Sequence, residues 1–134
     1  MQKTNPMPKS DEFSASEARI QQQIVRHYRN TYCLKHHNQR CMMFSVPNES
    51  NGDKAMKLIQ TGLYHGCADL VIFHVKPSGP YRYEETIPIF VEVKTETGKQ
   101  SDNQKEFEAH CKQIGVPYFV VRSLEDFQAV ISSL

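Results

Sequence analysis

Three residues of this sequence have the types and spacing for chemistry on a charged substrate: Asp69, and the pair Glu92 and Lys94 in "FVEVKTETG" (90–98). Glu92 and Lys94 stand where an apolar strand should continue. Two positions apart on a strand, they share one face while Val91 and Val93 keep the other apolar. Either an ion pair closes the strand, or polar groups have been placed there for catalysis. If residues 69–75 and 87–94 pair as a hairpin centred near Pro80 and Tyr81, opposed residue numbers sum to about 161 and Asp69 faces Glu92. Directly opposed side chains point to one face with Cβ atoms about 4.5 to 5.5 Å apart. Two carboxylates that close raise a pKa or call for a cation between them, and oxygen ligands at strand ends suit magnesium.

Two further polar residues head apolar stripes. Glu17 precedes Ile20, Ile24 and Tyr28 at helical spacing, and Gln104 precedes Phe107, Cys111 and Ile114. Each has a plain structural explanation: capping boxes Ser14/Glu17 and Ser101/Gln104, an ion pair for Glu92 and Lys94, and a turn after Gly66 for Asp69. All five on inward or facing positions favour a common site.

The elements that must position these residues follow from periodicity and punctuation. A helix is expected from about Ser14 to Tyr32, a strand over "MMFSV" (42–46), and a short helix over 53–61 stopping at Gly62. The strands 69–75 and 87–94 are separated by the proline- and glycine-punctuated loop "KPSGPYRYEET". A helix over 102–114 ends at Gly115, a strand spans 117–121, and Ser123 caps a last helix carrying Phe127, Val130 and Ile131. Strand, helix and strand over 87–121 make a βαβ crossover, so the last strand pair is parallel. The expected fold is an α/β sandwich, a mixed sheet of roughly four strands flanked by helices.

With 134 residues the chain suits one domain: an N-terminal arm over 1–13 and a single domain over 14–134. No apolar run is long enough to span a bilayer, and "MQKTNPMPKSDEF" lacks the apolar centre of a secretory signal, so a cytoplasmic protein is expected. Its four cysteines, Cys33, Cys41, Cys67 and Cys111, form no CxxC pair, and reduced thiols are expected. The net charge is only +1, but no acid occurs from Ala18 to Asn48, a stretch holding Arg19, Arg26, Arg29, Lys35 and Arg40. Such asymmetry steers a polyanion to one side, or is a solvated helix face.

The order of an acid on the first helix, "GCAD", "VEVK" and "SDNQ" resembles the VRR-NUC (virus-type replication-repair nuclease) family of the restriction-endonuclease-like superfamily, whose signature is Asp followed by Glu-x-Lys. The likeness extends to "IQQQIV", "VPNE" and "GVPYFVVRS". Two departures are Ala68, where the family usually has proline, and the longer turn "NESNG". The missing proline relaxes the approach to Asp69. The resemblance implies that Glu17, Asp69, Glu92 and the Val93 carbonyl bind one or two magnesium or manganese ions. It also implies that Lys94 is the catalytic cation and that Gln104 positions Lys94 or the attacking water. It implies a structure-selective DNA endonuclease of branched DNA, a resolvase of four-way junctions acting as a homodimer in a bacterial or phage-infected cell. Arg19, Arg26, Lys35, Arg40 and Asn48 are the expected DNA contacts.

Two other readings remain open. One is a catalytically silent DNA-binding module of the same fold. The other is a small zinc-binding interaction protein, with Cys33, His36 or His37, and Cys41 of "CLKHHNQRC" as ligands and His65 and Cys67 as distant candidates.

Overall fold

The computed structural model describes residues 15–34, 40–46, 59–78 and 83–134. The N-terminal arm, the Ser14 cap, Lys35, His36, His37, Asn48 with Pro47 and Glu49 of "VPNE", and most of the 53–61 helix lie outside the described residues. The elements are α1 (Ala15–Tyr32), β1 (Met42–Ser45), β2 (Leu70–Ser78), β3 (Tyr83–Val93), α2 (Asp102–Ile114), β4 (Tyr118–Val121) and α3 (Leu124–Ser132). The sheet order is β1-β2-β3-β4, with β1–β2 and β2–β3 antiparallel and β3–β4 parallel. This is the mixed four-stranded α/β fold expected from the sequence.

The hairpin register is also the expected one. Leu70 pairs with Val91 and Val71 with Phe90, so the next position along sets Asp69 against Glu92. The hairpin is longer than expected, however, because the supposed loop over 76–86 continues both strands, with Lys76 opposite Glu85 and Ser78 opposite Tyr83. Its prolines do not break the ladder, and the reason is direction. The Val75 N–H points away from β3 to the Cys41 sulfur at 3.2 Å, so the nitrogen of Pro77, two residues on, faces the same side, past the start of the β1 pairing. Likewise Phe90 N–H reaches Pro117 O at 3.0 Å, so Pro88 turns its nitrogen to the side where β4 has not yet begun.

Strand alternation divides the side chains between two layers. Leu70, Ile72, Ile89, Val91, Val93 and Val121 face α1 and α3, where Ile24, Tyr28, Phe127 and Ile131 complete the main core. Fully burying a side chain such as Ile24 contributes about 1.5 to 3 kcal/mol. In this core the Tyr28 hydroxyl and His74 Nδ1 share a hydrogen bond of 2.8 Å. Burial lowers the His74 pKa, with the Lys76 charge adding to it, which favours the neutral imidazole. The opposite face carries Phe90, Val120 and Tyr118, which pack with Ala68, Phe107 and Cys111 under α2. Glu92 shares that second face, and α2 is therefore the helix above it.

Candidate active site

Asp69 is delivered by a loop locked onto the start of α2. Gly66 has φ +79, and a Cβ there would lie 2.2 Å from the backbone carbonyl of Asn103. Only glycine allows this approach, which brings the turn before Asp69 against the helix turn that carries Gln104. Ala68 is fully buried, in the cluster of Phe107, Cys111 and Tyr118. The Asp69 backbone carbonyl accepts from Val46 N–H at 2.9 Å, and its side-chain Oδ2 accepts from Val93 N–H at 2.7 Å. The aspartate is thereby fixed between the ends of β1 and β3.

Glu92 is 1% exposed and Lys94 6%, and Lys94 Nζ stands 4.0 Å from Glu92 Oε1. Burial, the neighbouring Asp69 charge and a hydrogen bond with Asp69 push Glu92 up to about 9, against the pull of Lys94, with Glu17 adding a further push. Asp69 is also raised, by burial, despite its hydrogen bonds to Glu92 and Val93 and the Lys94 charge. Glu92 Oε2 is buried with no hydrogen-bond partner. As two bare carboxylates the pair repels and leaves that oxygen unsatisfied. It is relieved by a proton shared between the acids or by a cation.

Gln104 performs two tasks that the sequence presents as alternatives. Its Oε1 accepts from Ser101 N–H at 2.8 Å while its own N–H donates to Ser101 Oγ at 3.2 Å, closing a capping box. Its Nε2 donates to Glu92 Oε1 at 3.0 Å. The cap orients the amide, and the amide reaches Glu92 rather than Lys94.

The five expected residues are not equally close. Asp69, Glu92, Lys94 and Gln104 converge, whereas Glu17 acts on the corner through its charge on Glu92. Among the described residues no group of three or more His, Cys, Asp or Glu side chains is arranged to hold a metal ion. That holds for Cys33, Cys41, His65 and Cys67 of the zinc reading as well as for the three carboxylates. The pair of acids nevertheless fits magnesium or manganese in kind, because such ions take one or two carboxylates and complete their shell with water and substrate phosphate. The orphaned Glu92 oxygen is the donor that such an ion would satisfy.

One contributor was not singled out from the sequence. Arg122 Nη1 donates to the carbonyls of Thr95 at 2.6 Å, Gly98 at 2.8 Å and Glu96 at 3.3 Å, pinning the turn that follows Lys94. Arg122 lies within "GVPYFVVRS", but no local pattern ties it to residues some 25 positions earlier. Of the expected DNA contacts, Arg19, Arg26 and Arg40 are exposed, and Arg26 lines a cleft between α1 and β1.

Two solved structures share this fold. One described as a VRR_NUC domain protein superposes with a TM-score of 0.64 at 17% identity, covering 90% of this chain and 88% of its own. Another, described as a VRR_NUC domain, gives 0.56 at 19% identity, covering 89% and 97%. The architecture is thus a nuclease-type α/β fold. The VRR-NUC domain family matches residues 15–125, and the chain belongs to that family. No curated protein matches it.

Proposed function

We propose that this protein is a magnesium- or manganese-dependent endodeoxyribonuclease that hydrolyses phosphodiester bonds in branched DNA, with four-way junctions as its substrate. The observation that carries the reading is the buried Asp69–Glu92 pair, with one unsatisfied oxygen, beside the Lys94 ammonium. Asp69, Glu92 and the Val93 carbonyl are the groups that hold the ion, with the Glu17 charge nearby. When bound, the ion supplies charge that polarises the phosphate and makes water acidic enough to attack near neutral pH.

The chain's own residues do the rest. Asp69 and Glu92 share a proton at rest, which would pass to solvent for both to serve as ligands. Val93 N–H and the Gln104 amide hold the two carboxylates so that little reorganisation is needed during reaction. Lys94 orients the attacking water and stabilises the negative charge that develops on the phosphate oxygens. A symmetric junction needs two cuts, and a homodimer supplies two such sites. The four free cysteines are compatible with the reducing cytoplasm.

The test is nicking of a labelled four-way junction with and without magnesium by wild type and by Glu92→Ala. Magnesium-dependent nicking that Glu92→Ala abolishes is expected. Equal cutting by the variant overturns the catalytic assignment, and intact DNA with wild type in either metal favours the silent binding module.

A further inference from the structure

A cleft of about 450 Å³ runs between α1 and the edge strand β1. Its helix wall runs from Ala18 to Asn30 and its strand wall from Met43 to Ser45. Twelve helical steps give it a length of about 18 Å. One end adjoins the carboxylate corner. Ser45 pairs with Leu70, and the next residue, Val46, bonds to the Asp69 carbonyl. At the helix wall the same end begins one residue after Glu17, whose charge is felt by Glu92.

The chemistry of the walls selects for an anion. Arg26 and Arg29 line the cleft, Gln22 and Asn30 add amide donors, and none of the described lining residues is acidic. Gln21 also lines it, and its amide oxygen is buried with no hydrogen-bond partner. Along the other wall, β1 has strand β2 on one side and no strand on the other among the described residues.

We infer that this cleft is a track for one DNA strand leading away from the scissile phosphate, with Arg26 and Arg29 on successive phosphates. The inference rests on the nuclease reading for the position of the scissile bond. The track, about 18 Å long, is longer than a single phosphate needs, so it engages the strand beside the cut and not the cut alone. Its contacts go to the backbone, so they set position and affinity without reading bases.

The test is fluorescence anisotropy of a labelled single strand and a labelled four-way junction, without added metal, across a salt series. Wild type is compared with Arg26→Gln/Arg29→Gln and with Lys112→Glu, which changes net charge equally from α2. The Arg pair variant is expected to bind about tenfold or more weakly, and its log affinity against log salt to flatten by about 1.4 for the single strand, since each lost phosphate contact removes about 0.7. Lys112→Glu should leave both unchanged. Unchanged affinity and slope in the Arg pair variant overturn the track, as does an equal loss in Lys112→Glu, which means diffuse charge. A change in oligomeric mass by light scattering that accounts for the weaker binding also overturns it, because the cleft is then a protein interface. Wild type that binds in this Arg-dependent way yet never cuts with magnesium overturns the nuclease reading and leaves the track standing.

Discussion

Replacing Glu92 by glutamine should make the metal-free protein more stable while removing its activity. In the folded chain burial and Asp69 hold the Glu92 carboxyl at about 9, against an ordinary value of 4.5. At pH 8 the unfolded chain has lost this proton and the folded chain keeps it, so folding carries the cost of proton uptake. Taken alone, 3.5 units of pH at about 1.36 kcal/mol each make that cost about 5 kcal/mol. The proton is shared with Asp69, and Lys94 offsets part of the repulsion, so a gain of about 2 kcal/mol is the expected share for the variant. Glutamine keeps an oxygen for Gln104 Nε2 and offers Asp69 an NH₂ donor. With an unfolding entropy of about 2.1 cal/mol/K per residue, 2 kcal/mol corresponds to a rise of about 7 °C in Tm. Thermal unfolding followed by circular dichroism in EDTA at pH 8 measures it. A lower Tm for Glu92→Gln than for wild type would refute the reasoning, because Glu92 would then be a stabilising partner and not a strained one.

Three further outcomes follow from the same contacts. The stability that protonated Glu92 contributes is complete below about pH 4.5 and is lost as pH rises through about 9, so the metal-free Tm of wild type should fall across that window more steeply than that of Glu92→Gln, as a pH series of melts would record. Gly66→Ala forces a Cβ into the Asn103 backbone at a positive φ, and it should destabilise the fold by at least about 2 kcal/mol in denaturant titration and lower cleavage with it. Arg122→Gln removes the guanidinium contacts to three carbonyls behind Lys94, at about 1 to 2 kcal/mol of stability. It should cut the cleavage rate at saturating DNA by about tenfold, through a looser Lys94.

What the sequence reveals and conceals here has physical causes. The Asp69–Glu92 register was legible because both strands alternate cleanly, and a one-residue slip would have turned Glu92 into the main core. The hairpin's length was not legible. Pro77 reads as punctuation until the direction of its missing N–H is known, and that depends on where β1 lies. Gln104 looked like a cap or a site residue, and a single amide with an oxygen on Ser101 and a nitrogen on Glu92 is both. Arg122 and the Tyr28–His74 pair were invisible because their partners lie far along the chain and no periodicity links them.

The central claim is that the two carboxyls hold a proton at rest and exchange it for a divalent cation in use. Calorimetric titration of the protein with manganese at pH 7.5, repeated in buffers of different ionisation enthalpy, counts the protons released on binding. The account predicts release of about one proton per site for wild type and weak binding with no release for Glu92→Gln. Binding of equal strength in the two proteins, or binding by wild type without proton release, would contradict it.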